Sequence, residues 1–186
     1  MSHSQPEKLT DQQLVDLTIK SQDNFLYLMQ RYEAKLLRYI KRLSNFSHEE
    51  SEDILQEAFI KIYQNINGFD KKLKFSSWVY RITHNEVISQ WRKAKVRPQN
   101  ITWDISDQIL NNISDDFDLD QEVDQQYLQK NIKQVLGKLD TKYQEVLILK
   151  FLEEKSYKEI SDILKKPMGT VATLVNRAKK QFRDKL

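Results

Sequence analysis

Between Ser156 and Phe182 one proline divides two stretches of helical period, and no other part of the chain is so restricted in the shapes open to it. Ser156 followed three residues later by Glu159 is a capping box, in which hydroxyl and carboxylate satisfy backbone N–H groups at a helix start. Ile160, Ile163 and Leu164 then form one apolar stripe. Pro167 predicts a stop by Lys166, because the ring disfavours helical backbone in the residue before it. A second helix is expected from near Met168, with Val171, Val175, Ala178 and Phe182 in a single apolar row. Ala172, Thr173, Asn176, Arg177 and Lys180 turn away from that row. Two short helices so tightly joined bury their stripes against each other at a steep angle and leave the second free to enter a major groove. The stretch reads as a helix-turn-helix with a basic second helix.

The remaining chain carries the same period. Thr10 is an expected N-cap for a first helix with Leu14, Leu17 and Ile19 inward, and a longer helix from Gln22 to Leu43 packs through Phe25, Leu28, Met29, Tyr32, Leu36, Leu37 and Ile40. Ser47 and Glu50 repeat the capping box and start a third helix, whose Leu55, Phe59, Ile62 and Ile66 form a buried row. Asp53, Gln56 and Glu57 lie off that row. Gly68 is expected to end the helix. A loop from Phe69 to Phe75 sets three lysines between two aromatics, and Ser76 is positioned to cap a fourth helix. Near the C-terminus the pattern resumes from Val123 through Tyr127, Ile132, Val135 and Leu136 to Gly137, and Val146, Leu149 and Leu152 mark a helix that braces the helix-turn-helix.

With three Gly and three Pro in 186 residues, hairpins are hard to place and an all-α chain is expected. There is no Cys, and His3, His48 and His84 are far apart, so the sequence offers no basis for a metal site or cofactor. Clustered carboxylates and nucleotide-binding Gly loops are also missing from its pattern, which disfavours an enzyme. No run approaches the roughly 20 apolar residues that span a bilayer, and the first residues lack the apolar core of a signal peptide, so a cytoplasmic protein is expected.

Charge divides the chain further. Residues 1 to 97 carry 16 Lys+Arg against 12 Asp+Glu, residues 98 to 129 none against 8, and residues 130 to 186 carry 14 against 7. Two basic modules therefore flank an acidic segment, read as a domain over 1–97, a linker over 98–122 and a second domain over 123–186. Basic modules favour polyanions, since neutralising phosphates releases condensed counterions. The linker, fully extended, reaches on the order of 100 Å, enough for two modules to engage separate sites on one duplex. In the fourth helix Trp78, Tyr80, Arg81, His84, Asn85, Trp91, Arg92 and Lys93 combine rings, an amide and cations, a mixture suited to stacking on unpaired bases while holding their phosphates. The same residues equally suit a core with a solvated charged face, and residue type alone leaves both open.

The segments EDILQEAFIKIYQNINGFD and KFSSWVYRITHNEVISQWRK, followed after the acidic segment by LDTKYQEVLILKFLEEKSYKEISDILKKPMGTVATLVNRAKKQF, resemble the second and fourth conserved regions of the extracytoplasmic-function (ECF) sigma factors, the compact branch of the bacterial sigma-70 family. The likeness covers about 25 to 95 and 123 to 186. It implies two helical domains, a region 2-like bundle and a region 4-like helix-turn-helix, joined by the acidic linker. It also implies a transcription initiation factor that binds core RNA polymerase, recognises two promoter elements and stabilises melting. Asp53, Gln56 and Glu57 fall on the family's D-x-x-Q-E pattern, which faces a coiled coil of the polymerase clamp. Phe69, Lys74, Phe75, Trp78, Arg81, Asn85 and Arg92 fall where the family takes up the melted minus-ten element. Gly169, Thr170, Thr173, Asn176, Arg177, Lys179 and Lys180 fall where it contacts the double-stranded minus-thirty-five element. An anti-sigma partner, in many relatives membrane-anchored, is implied too, and the linker's carboxylates would mimic nascent RNA on the exit path. Ala172 and Leu174 depart from the family, which commonly has basic residues there. The competing expectation is a stand-alone helix-turn-helix regulator that needs no polymerase.

Overall fold

Three helices begin on capping boxes closed by side chains in both directions: Thr10 with Gln13, Ser47 with Glu50 and Ser156 with Glu159. Each satisfies amides that a helix leaves open at its first turn. These contacts are seen in a computed structural model that describes residues 8–44, 46–94 and 134–185. The expected linker and the expected helical positions Tyr127 and Ile132 lie outside those residues. Every regular element among the described residues is a helix, with no β-strand, as the scarcity of Gly and Pro implied. The chain divides into two compact units, one of Met1–Ile40 and Phe46–Lys95, the other of Lys41–Asn45 and Val96–Leu186.

The first unit holds α1 (Asp11–Lys20), α2 (Phe25–Leu43) as far as Ile40, α3 (His48–Asn65) and α4 (Phe75–Ala94). In α1 the buried residues are Leu14, Val15 and Thr18, whose hydroxyl donates to Leu14 O at 2.8 Å. Leu17 and Ile19, expected inward, are exposed. The inner face follows the Leu14–Thr18 spacing, so Leu17 falls on its margin and Ile19 outside it. A 3-10 turn at Gln22–Asn24 precedes α2, which therefore starts at Phe25 and not at Gln22. Phe25, Leu28, Tyr32, Leu36 and Ile40 are buried as expected, joined by Tyr39 and Leu43, while Met29 and Leu37 are half-buried.

In α3 the expected row Leu55, Phe59, Ile62 and Ile66 is buried, with Ile54 and Ala58 beside it. A 3-10 turn, Ile66–Gly68, ends the run. The next helix begins at Phe75, one residue before the cap expected at Ser76, and Lys74 O accepts from Trp78 N. Burial of Phe75 against Tyr32, Phe69 and Trp78 draws that first turn inward. Helices α3 and α4 pack together, and Lys61 pairs with the buried Glu86, which also accepts from Gln90 at 3.1 Å.

In the second unit a helical segment ends at Gly137 as expected. Gln144 Nε2 donates to Leu136 O and Leu139 O, both at 2.9 Å, satisfying carbonyls that the helix end leaves open. Helix α5 (Thr141–Leu147) widens into a π turn over Ile148–Leu152, where the Glu153 N–H reaches Ile148 O at 3.0 Å. The wider turn buries Ile148, Leu149, Phe151 and Leu152 together. Helices α6 (Tyr157–Leu164) and α7 (Met168–Arg183) follow, and α7 packs on both α5 and α6. Between them Lys165 takes the left-handed conformation at φ 51°, ψ 46°. Ser161 locks the turn, its carbonyl accepting from Lys166 N at 3.2 Å and its hydroxyl donating to Lys166 O at 2.6 Å.

Candidate nucleic-acid interface

The candidate residues fall on both units, in two groups on the first and one on the second. On the first, Phe69 and Phe75 are not surface rings: both are buried, and with Trp78 they form a cluster with centroid separations of 5.2 to 5.6 Å. Tyr32 closes it from α2 at 5.7 Å. Burial and the Asp11 carboxylate that accepts its hydroxyl proton hold the Tyr32 phenol well above its ordinary range, so it stays neutral. Trp78 is half-buried and forms the outer edge of this cluster.

From Trp78 a stripe runs along α4 through Arg81, Asn85 and Arg92, at helical spacings of three, four and seven residues. Asn85 and Arg92 are exposed and Arg81 is half-buried, with Nε and Nη2 buried and without a hydrogen bond to the described residues. Lys74 is exposed at the helix entrance. Tyr80, His84 and Trp91, which by residue type suited the same surface, belong to the core. Tyr39 Oη lies 3.0 Å from His84 Nδ1, and the Tyr39 and Tyr80 rings are 4.9 Å apart. Sequence reasoning missed Tyr39 as the partner that draws His84 inward, because the two are 45 residues apart. The surface that remains has one amide, one ring edge and several cations. It can hydrogen-bond a base edge, stack on its face and neutralise phosphates.

On α3 the polar triplet Asp53, Gln56 and Glu57 is exposed, beside Ile60, an exposed apolar residue of the same helix. The triplet therefore offers acceptors and negative charge, in a shared groove with Gln90 and Lys93 of α4.

On the second unit Val171, Val175, Ala178 and Phe182 are completely buried, and Gly169, Thr170, Thr173, Asn176, Arg177 and Lys180 are exposed. Thr173 Oγ1 donates to Gly169 O at 2.9 Å, which leaves its lone pairs to accept from a base amino group. Lys179 is placed differently from the other six candidates: it is half-buried, with Nζ 5.7 Å from the centre of the Phe151 ring. Ala172 and Leu174 are half-buried on opposite flanks of α7.

Known proteins share this arrangement. The sigma-70 region 2 family matches residues 28–97, and the sigma-70 region 4 family matches residues 129–182. The ECF RNA polymerase sigma factor SigW of Bacillus subtilis is 36% identical over 174 residues, which cover 89% of this chain and 90% of the relative. The chain belongs to the ECF sigma factors. Across this sigma factor's length, the ECF sigma-E factor of Haemophilus influenzae is 27% identical, covering 97% of each chain. Among solved structures, CnrH in complex with the cytosolic domain of CnrY covers 94% of the sigma factor at a TM-score of 0.65 and 20% identity, a likeness of fold. The sigma factor RpoE, in complex with the anti-sigma factor NepR from Bartonella quintana, gives 0.57 at 22%. No described helix is long and apolar enough to cross a membrane.

Proposed function

We propose that this ECF sigma factor directs core RNA polymerase to promoters by reading two elements with two separate units and holding one of them open. Residues 1–97 dock on polymerase through Asp53, Gln56 and Glu57 and take up the melted minus-ten strand along Lys74, Trp78, Arg81, Asn85 and Arg92. Phe69 and Phe75 support that surface from beneath by anchoring Trp78. Residues 123–186 read the duplex at minus thirty-five through Thr173, Asn176 and Arg177, with Gly169, Thr170 and Lys180 on phosphates, and 98–122 link the two. Lys179 acts through its position over Phe151, fixing the helix that carries these contacts.

The observation that carries the reading is the α4 stripe: an exposed amide two turns from a half-buried indole, with cations before and after it and a ring cluster below. Unstacking a base costs a few kcal/mol, and stacking on an aromatic ring returns about 1–3 kcal/mol per base. Edge hydrogen bonds from Asn85 supply the remainder and the selectivity, so melting proceeds without a motor or chemistry of the protein's own. The protein works in the cytoplasm with polymerase and promoter DNA, and an anti-sigma factor restrains it, a partner suggested by the complexes in which its structural neighbours were solved.

Run-off transcription with core polymerase tests this directly. Asn85→Ala should leave closed-complex binding within about two-fold and sharply lower permanganate reactivity of minus-ten thymines. Equal reactivity would remove Asn85 from the melted-strand site. Promoter-specific binding by the free chain, unaffected by polymerase, would favour a stand-alone regulator instead.

A further inference from the structure

The loop between α3 and α4 presents Lys71, Lys72 and Lys74, all exposed, between the buried rings of Phe69 and Phe75. Its backbone is held from within. Asp70 Oδ1 accepts from Lys72 N and Asp70 O accepts from Leu73 N, both at 2.9 Å. Lys71 reaches beyond the loop: its Nζ lies 2.6 Å from Asp16 Oδ1, which joins the loop to α1 across 55 residues of sequence. Asp16 lies before the segment that matches sigma-70 region 2.

The Asp16 side chain stays 44% exposed and Lys71 58% exposed, so both are open to exchange with an incoming anion. The hydrogen bond from Lys71 is the main reason the Asp16 carboxyl sits below its ordinary range, so it is ionised at neutral pH. Gln12 contributes only a long contact, at 3.5 Å. Because Asp70 already fixes the loop backbone, what Asp16 adds is the placement and neutralisation of one ammonium.

We propose that Asp16 is a stand-in for phosphate: its carboxylate occupies Lys71 in the free protein, and capture of the melted minus-ten strand exchanges that carboxylate for a backbone phosphate of the DNA. This rests on the reading of the α4 face as the melted-strand site. An exposed pair of this kind is weak and salt-screened, so the exchange is easy and its effect is graded. Its consequence is selectivity. A strand that offers only phosphates meets one cation fewer, whereas a strand that also fills the Asn85 surface recovers the difference.

The test uses the full chain assembled with core polymerase and measures affinity for a pre-melted promoter bubble and for a random-sequence single strand across a salt series. Asp16→Asn should bind the random strand more tightly by up to about five-fold at low salt, and the gain should vanish as salt rises. Lys71→Gln should lower the salt slope by about 0.7 and abolish the effect of Asp16→Asn in the double variant. An unchanged affinity for Asp16→Asn would overturn the proposal. So would a gain that survives in the Lys71→Gln background, which would make Asp16 a general repulsive charge. Weaker binding with a lower melting temperature would also overturn it, making Asp16 a brace. Asn85→Ala serves as the control: if the bubble affinity does not fall, the reading of the face fails with the proposal. If it falls while Asp16→Asn has no effect, only the proposal fails.

Discussion

Gly169 tests the minus-thirty-five surface with two measurements that should move in opposite directions. It stands in the first turn of α7, exposed, with ordinary negative φ, and a Cβ built on it meets nothing within 4 Å. Nothing among the described residues therefore requires glycine there. A glycine within a helix is less stable than alanine by roughly 0.5–1 kcal/mol, because the unfolded chain gives up more freedom. For a unit of this size that corresponds to a rise of about 2–8 °C in melting temperature for Gly169→Ala. The Thr173 bond to the Gly169 carbonyl is untouched by the change. In the proposed complex with DNA the same methyl group occupies the space through which a phosphate would approach the first-turn amides. Lengthening or losing one charge-assisted hydrogen bond costs about 1.5–3 kcal/mol, or roughly 10- to 150-fold in affinity. Calorimetric melting of the full chain measures the first effect, and holoenzyme binding to promoter DNA with and without its minus-thirty-five element measures the second. A variant that is more stable and binds the element as well as the parent would refute the close approach of DNA at this turn.

Three further outcomes are expected. Arg177→Ala should weaken promoter use by about 1–3 kcal/mol and relax preference at one base pair, since a guanidinium can bond guanine O6 and N7 together; an unaltered preference in a randomised minus-thirty-five library would exclude it from readout. Glu57→Lys reverses an exposed charge on α3 and should lower affinity for core polymerase while leaving the melting temperature within about 1 °C, so undiminished co-purification would remove the polymerase assignment. Lys165→Gly should stabilise the second unit by about 1 kcal/mol, because the left-handed backbone strains any residue with a Cβ. Thermal melts of the glycine and valine variants should bracket the parent, and a valine variant as stable as glycine would contradict this.

The helix-turn-helix was legible residue by residue because its period is regular and Pro167 fixes its phase: the four residues read as the buried row of α7 are the four that are buried. Capping boxes at Ser47 and Ser156 marked helix starts for the same reason, that their chemistry is local. Where side chains suit both inside and outside, residue type left the choice open and only the structure decides it. Tyr80, His84 and Trp91 look like a binding surface by type, but the phase of α4 relative to Tyr39 and the α3 helix turns them inward. Leu17 and Ile19 show the converse, apolar residues left outside by the phase of a short helix. Lys179 could not be separated from Lys180 by type, since only the position of Phe151, 28 residues earlier, distinguishes them. The π turn at Ile148–Leu152 had no signal beyond a run of apolar residues.

The division of α7 between a completely buried row and an exposed readout row has an evolutionary consequence. Val171, Val175, Ala178 and Phe182 carry the packing, whereas Thr173, Asn176 and Arg177, proposed above to read the promoter, lie outside the packed row. On that reading, changes to the outer row alone alter the target sequence while the packed row, and the fold with it, is kept. A designer seeking an orthogonal regulator can randomise the outer row while holding the inner one fixed.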